Sequence, residues 1–288
     1  MRIGILHNRI TWEIKEIIQI LDKRKIDYDL INNQQIYFKL TREEPFKVHY
    51  DVILERSLSF LRGLYSASIL EAKGCKVINS YNCLNNTGNK LLTTLRLIEH
   101  NISTPLTYVS FKAESTIEAI ETEVNYPAVL KPIIGSWGRL IAKLEDYNDA
   151  RSNLECRELM GNVLQKIYYI QEYIHPQDPT MPTDLRVFVI GKECVAAMGR
   201  FNPKDDFRSN IALGGSAKGI VLNDDIIKIS LNAAKAVKGE IVGVDLMMKE
   251  NNLCVIEVNG TPQFKGITTA TKINIAEKIV DYLEDKYK

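Results

Sequence analysis

Residues 241–259 read Ile-Val-Gly-Val-Asp-Leu-Met-Met-Lys-Glu-Asn-Asn-Leu-Cys-Val-Ile-Glu-Val-Asn. Two apolar runs, Ile241 to Met248 and Leu253 to Val258, flank a polar turn and predict a pair of strands. Asp245 and Glu257 each interrupt such a run. A carboxylate is costly to bury unless something positive compensates it, and a bound metal is the economical answer. Asn259 follows Glu257 by two residues, so the strand period puts both side chains on one face. Asp245, Glu257 and Asn259 together offer the hard oxygen donors that magnesium prefers. By themselves the same three residues also fit the polar face of an exposed hairpin.

Upstream of this pair the chain changes character twice. Residues 1–80 alternate β-branched runs with amphipathic stretches: Ile3 to His7, Trp12 to Lys23, Tyr28 to Ile31, Val52 to Arg56, Leu61 to Lys73 and Val77 to Asn79. That β-α-β-β-α-β order predicts a small parallel α/β domain. No G-x-G-x-x-G follows the first strand, so a dinucleotide fingerprint is missing. A helix from Asn86 to Glu99 leads to a boundary at His100 to Pro105. Beyond it strands come in pairs, Val129 to Lys131 with Leu140 to Leu144, then Tyr168 to Ile174, Leu185 to Ile190 and Cys194 to Met198. These predict an antiparallel sheet with covering helices, an α+β arrangement, closed by helices at Asp224 to Lys238 and Asn274 to Tyr287. The expected parts are residues 1–85, 86–175 and 176–288.

The 288 residues correspond to roughly two domains at about 150 residues each. Hydrophobic residues at 45% and charged residues at 25% exclude a disordered chain. Lys and Arg number 37 against 36 Asp and Glu, a net charge of +1 that argues against nucleic acid or a membrane surface as the main partner. Neither a signal peptide nor a membrane span is expected, since the apolar run at the start is broken by Gly4 and the best internal run carries Asp245. The five cysteines form no C-x-x-C pair and the four histidines are scattered, which predicts neither disulfides nor a zinc site and suits a reducing cytoplasm.

Other segments carry weaker chemistry. Lys131-Pro132 ends a strand and opens onto Gly135-Ser136-Trp137-Gly138-Arg139, whose backbone N–H groups can cover a polyphosphate although this is no P-loop. Lys90 lies near a helix start, and Gln171-Glu172-Tyr173-Ile174 at a strand end. Arg186, Arg200 and Arg208 offer planar forks to carboxylates or phosphates, and Asn210 precedes a Gly-rich stretch. Each alone fits a surface lysine, a hairpin turn or an exposed ion pair equally well.

Their order is more specific. Lys90, Lys131-Pro132 before the Gly135 loop, Gln171-Glu172-Tyr173, Asp184-Leu185-Arg186, Asn210 to Gly215 and Glu257-Val258-Asn259 through Phe264-Lys265-Gly266 follow the order of the ATP-grasp superfamily. Over nearly its whole length the chain resembles the RimK-type branch, and within it the LysX and ArgX ligases of carrier-protein-dependent lysine and arginine biosynthesis. The resemblance implies an amino-terminal α/β domain and two further domains that grip ATP. It implies that Lys90, Lys131, Gly135, Ser136, Trp137, Gly138, Arg139, Gln171, Glu172, Ile174, Asp184 and Asn210 contact ATP, and that Asp245, Glu257 and Asn259 hold magnesium, as two ions. Arg186 and Arg208 would be catalytic. Arg200, Ile211, Ala212, Gln263, Phe264, Lys265, Gly266 and Ile267 would meet the substrates.

By the same resemblance the activity is ligation of glutamate, or 2-aminoadipate, to the terminal glutamate side chain of a small acidic amino-group carrier protein, by a homo-oligomeric enzyme. The alternative is a RimK-type glutamate ligase acting on a cofactor or a ribosomal protein tail. Gly266-Ile267 stands where the glutamate-using form has Gly-Phe, which favours glutamate and makes Ile267 the expected gauge of pocket depth. The pattern departs from the family at Gly88-Asn89-Lys90, at the long 175–183 segment and at Gln263, where a glutamate is usual.

Overall fold

Thr11 turns the chain into its first helix. The preceding strand, β1 (Arg2–His7), is buried from Ile3 to His7, and Thr11 Oγ1 then accepts the Ile14 N–H at 3.4 Å. Glu13 in the first turn and Lys23 and Arg24 in the last complement the dipole of α1 (Trp12–Arg24), and Ile14, Ile17 and Leu21 on its inner face are fully buried. With β2 (Asp27–Asn32), β3 (Val52–Glu55), α2 (Phe60–Ala72) and β4 (Val77–Ile78) the chain completes a four-stranded parallel sheet of order β2-β1-β3-β4. The computed structural model describes residues 1–41, 46, 48–135, 138–175, 178, 180–201 and 215–287.

The helix expected from Asn86 to Glu99 is instead two, α3 (Tyr81–Thr87) and α4 (Lys90–Glu99), broken at Gly88-Asn89. A Cβ on Gly88 would fall 1.8 Å from a carbon of the Phe60 ring, so only glycine lets the backbone pass there. Asn89 Oδ1 then accepts the N–H groups of Leu91 at 3.0 Å and Leu92 at 3.3 Å and starts α4 afresh. Lys90 thereby becomes the first residue of a helix.

The single antiparallel sheet expected beyond this point is two. The first takes β5 (Thr107–Ser110), then α5 (Ala113–Ala119) ending in a π-helical turn at Ile120–Val124, then β6 (Ala128–Lys131), β7 (Ala142–Leu144), α6 (Tyr147–Met160) and β8 (Tyr168–Glu172), in the order β5-β8-β6-β7. Its core of Ile120, Leu130, Leu144, Leu154, Tyr168 and Ile170 is its own. The second contains β9 (Asp184–Ile190), β10 (Glu193–Phe201), β11 (Ser216–Gly219), α7 (Asp224–Ala236), β12 (Ile241–Lys249), β13 (Asn252–Asn259), α8 (Lys265–Thr271) and α9 (Ile275–Tyr287), with strand order β11-β10-β9-β12-β13.

This five-stranded sheet shares a core with the parallel one. Ile3, Ile5, Leu21 and Val52 pack in one cluster with Phe188, Ile241, Ile279 and Leu283. Arg24 of α1 ties the same surfaces together through Glu284 at 2.6 Å and Asp281 at 2.7 Å on α9. Among the described residues no helix is long and apolar enough to cross a membrane.

Candidate functional site

Three adjacent strands place three charges in one row. Arg186 of β9 is registered with Asp245 of β12, which is registered with Glu257 of β13. Registered residues share a sheet face, so the row is plus, minus, minus across the sheet. Arg186 Nε and Nη2 donate to the two Asp245 oxygens at 2.7 and 2.6 Å. Arg200, registered with Asp184 on the next strand, donates from Nη2 to Asp245 at 3.0 Å and pairs through Nε with Asp184.

These contacts answer the burial problem posed by Asp245, and the answer differs from the expected metal. Burial alone would raise its carboxyl, but Arg186 and Arg200 outweigh that and hold it down at about 2. Burial pushes Asp184 up to about 6 against the pull of Arg200, with the Asp245 charge adding to the rise. Burial works against the charge of Arg200 as well, yet its two acids keep it above the ordinary arginine value. Arg186 and Arg200, expected as catalytic and substrate residues, therefore also serve as the counter-ions of the strand carboxylates.

Next to this row stand two lysines. Lys90 donates from Nζ to Glu257 Oε1 at 3.1 Å and to the Gly135 carbonyl at 3.1 Å. Lys131, at the end of β6, donates to Gln171 Oε1, whose Nε2 in turn donates to Thr107 Oγ1 at 3.0 Å and Tyr169 Oη at 3.1 Å. The buried Gln171 amide thus holds Lys131 in place. Burial and the neighbouring Lys90 push Lys131 down to about 8. The Glu172 carboxylate accepts from Lys249 Nζ and the Leu106 N–H, both at 2.7 Å, which anchors the strand end leading to Ile174.

All of this opens onto one cavity of about 1300 Å³ between the three sheets. Lys90, Lys131, Gly135, Gly138, Arg139, Gln171, Glu172 and Ile174 line it from the central part, and Asp184, Arg186, Arg200, Asp245, Glu257, Asn259, Gln263, Lys265 and Gly266 from the carboxy-terminal part. Two expected substrate residues do not line it. Phe264 is fully buried, edge-on to Trp12 and Phe188 at centroid distances of 5.9 and 6.0 Å, and Ile267 is fully buried in the shared core. Their apolar side chains are drawn into the core by the α8 backbone, so Ile267 does not gauge the cavity. Ser136, Trp137, Arg208, Asn210, Ile211 and Ala212 lie outside the described residues.

The structure also brings in residues that the sequence motifs passed over. Glu55 and Arg56, at the carboxy end of β3, and Glu13, in the first turn of α1, are buried beside the loop after β13. Thr261 donates to Glu55 at 2.8 Å, and Arg56 Nη2 donates to the Pro262 carbonyl at 2.8 Å. Burial raises the Glu55 carboxyl and lowers the Arg56 guanidinium. Their one signal in the sequence is a charged pair at the end of a parallel strand, where α/β sheets bind ligands.

The oxygen donors fit magnesium. Asp245, Glu257 and Asn259 face the same cavity with the oxygens magnesium takes, although both Asp245 oxygens already accept from arginines; the Asn259 Nδ2, a donor, is buried with no hydrogen-bond partner among the described residues. A bulge assists. The register steps from Asp245↔Glu257 to Leu246↔Val255, leaving Ile256 as the extra residue, and Ile256 lines the cavity beside Glu257.

Matches to known proteins agree with this geometry. Residues 87–283 match the RimK-like ATP-grasp domain, and residues 3–85 match the LysX preATP-grasp domain. The whole chain is 35% identical to the glutamate–LysW ligase ArgX of Sulfurisphaera tokodaii, spanning 99% of that protein. It is 30% identical to the alpha-aminoadipate–LysW ligase LysX of the same organism, with both chains covered completely. The solved structure of a RimK domain ATP-grasp protein from Sphaerobacter thermophilus has a TM-score of 0.77 at 19% identity, over 98% of this chain and 99% of that one, a likeness of fold. With its charged row, its two lysines and the matched domain over most of its length, this chain belongs to the RimK-like ATP-grasp family.

Proposed function

We infer that the protein is an ATP-dependent carboxylate–amine ligase that joins the amino group of glutamate, with 2-aminoadipate as a second substrate, to the carboxy-terminal glutamate side chain of a small acidic amino-group carrier protein. A carboxylate is a poor electrophile because its departing oxygen is a poor leaving group. Phosphorylation by ATP turns it into an acyl phosphate, and the amine then displaces phosphate. The observation that carries this reading is the convergence of Lys90 and Lys131 on the end of the cavity formed by the Arg186–Asp245–Glu257 row.

In this reading Lys90 and Lys131 hold the phosphates, and Ile174 with the backbone after Glu172 borders the base. Arg186 and Arg200 keep N–H donors beyond those that Asp245 and Asp184 accept, and face the position where negative charge builds during phosphoryl transfer. Because both guanidiniums are already fixed by buried acids, little reorganisation accompanies that charge. Asp245, Glu257 and Asn259 would hold magnesium, two ions by family resemblance, which when bound neutralises the polyphosphate. Gln263, Lys265 and Gly266 border the space for the amino acid.

The test is mass spectrometry of candidate acceptors after incubation with the enzyme, ATP, magnesium and a panel of amino acids. The expected result is a carrier protein heavier by one glutamate residue, with ADP released in step. Modification of a cofactor or a ribosomal protein tail, with carriers left untouched, would overturn it.

A further inference from the structure

The loop between β13 and α8 follows directly on the cavity-lining Asn259 and supplies Thr261, Gln263, Lys265 and Gly266 to the cavity wall. It is held along its length by the amino-terminal part of the chain. Asn79 Nδ2 donates to the Gly260 carbonyl at 2.6 Å, Glu55 accepts from Thr261 at 2.8 Å, Arg56 donates to the Pro262 carbonyl at 2.8 Å, and Glu13 accepts from the Lys265 N–H at 3.4 Å. Arg56 is the centre of this grip. It is 4% exposed, its guanidinium carbon lies 5.6 Å from the centroid of the Phe264 ring, and its buried Nε has no hydrogen-bond partner among the described residues.

Burying this guanidinium is costly; the Glu55 and Glu13 charges lie near it, and among the described residues its side-chain hydrogen bond and its ring contact both go to this loop. Its hold reaches the charged row. A Cβ built on Gly243 would lie 3.1 Å from the Pro262 ring and 3.8 Å from Arg186 Cδ, so Pro262 sits over the strand that carries Asp245, on the side of Gly243 that Arg186 also faces, while Arg56 holds its carbonyl. A shift of the Pro262 peptide would move the amino-acid side of the cavity.

We propose that Arg56 is a positioning residue for the amino-acid substrate: through Pro262 and Phe264 it sets the loop bearing Gln263, Lys265 and Gly266, while Lys131, Ile174 and the backbone after Glu172, which border the nucleotide on the central sheet, stand apart from it. This rests on the ligase reading and names the element that shapes its amino-acid site.

The experiment compares Arg56→Met, which keeps an apolar stem but removes charge and donors, with Arg56→Lys and with Thr261→Val, which removes only the hydroxyl held by Glu55. In Arg56→Met the KM for glutamate should rise about tenfold, the scale of a lost hydrogen bond to a charged group, while the KM for ATP stays within about twofold. Arg56→Lys should restore part of the loss, and Thr261→Val should raise the KM for glutamate alone. Hydrogen exchange should quicken over residues 260–266 in Arg56→Met and stay unchanged in the central sheet. Equal rises in both KM values, or an unchanged KM for glutamate with unchanged exchange, would overturn the proposal. If Arg56→Met does not fold, unchanged glutamate KM values in both Arg56→Lys and Thr261→Val would do the same. Wild-type enzyme that ligates no amino acid would defeat the ligase reading instead, and the exchange data would still judge the grip of Arg56.

Discussion

Asp245 lies directly across the β12–β13 ladder from Glu257, yet the two carboxylates have opposite surroundings. The Asp245 side chain is 3% exposed and closed in by two arginines, whereas that of Glu257 is 31% exposed and pairs with Lys90. Removing Asp245 takes the only carboxylate that Arg186 pairs with among the described residues and one of the two that Arg200 holds, leaving Arg200 with Asp184, so Asp245→Ala should lose about 3 kcal/mol of stability along with all ligation. Glu257→Gln should abolish ligation at a cost below about 1 kcal/mol. Thermal unfolding beside an ADP-release assay separates the two, and equal stability losses would contradict the assignment of Arg186 and Arg200 to Asp245.

Lys131 predicts a pH signature. Its value of about 8 means that the free enzyme loses this proton as pH rises through that point, and nearby phosphate negative charge would raise the value again. ATP binding should therefore take up a proton near about pH 9 and almost none near about pH 6.5. Calorimetry in buffers of different ionisation enthalpy measures the uptake, and Lys131→Met should remove it. Uptake that survives the substitution would place the titrating group elsewhere.

Ile267 predicts a dissociation of stability from specificity. Because it is fully buried in the shared core, Ile267→Phe should overpack that core and cost about 1–3 kcal/mol. The ratio of glutamate to 2-aminoadipate use should hardly move. A sharpened preference for glutamate at unchanged stability would mean that the side chain reaches the cavity after all.

Asn79 predicts a large loss from a small change. Its amide donates to the carbonyls of Ile241 and Gly260, both at 2.6 Å, and accepts from the N–H groups of Glu240 at 2.8 Å and Ile241 at 3.1 Å. Asn79→Ala strands these backbone groups in a buried seam and should cost about 3 kcal/mol or more. Asn79→Asp should be no better, since it turns a second oxygen toward two carbonyls. Denaturant unfolding midpoints close to wild type in both would show that the seam does not need this amide.

The β-α-β-β-α-β order of elements in the parallel domain was legible because its strands are β-branched runs and its helices carry amphipathic spacing. The common face of Glu257 and Asn259 was legible from the period of two. The compensation of Asp245 was not, since Arg186 lies 59 residues away and only strand register brings the two together. The bulge at Ile256 also escaped, because one extra residue in a strand leaves the apolar pattern nearly intact. Phe264 and Ile267 sit among residues that do face the cavity, and apolar side chains at such a boundary serve either a wall or a core without any change in the sequence. Gly88-Asn89 could have been recognised as a helix stop and cap, and that break is what makes Lys90 a first-turn residue.

The core shared by the two outer sheets bears on how the chain is made. Arg24 and Glu284 are 260 residues apart, and on the ribosome that separation is on the order of ten to fifty seconds of synthesis. Throughout that interval the apolar faces of β1 and α1 lack Ile279, Val280 and Leu283, the side chains that cover them. The central sheet, with a core of its own, can close meanwhile. The nascent protein is thus a finished middle flanked by an open beginning, and chaperone binding should concentrate on residues 1–80 until α9 emerges.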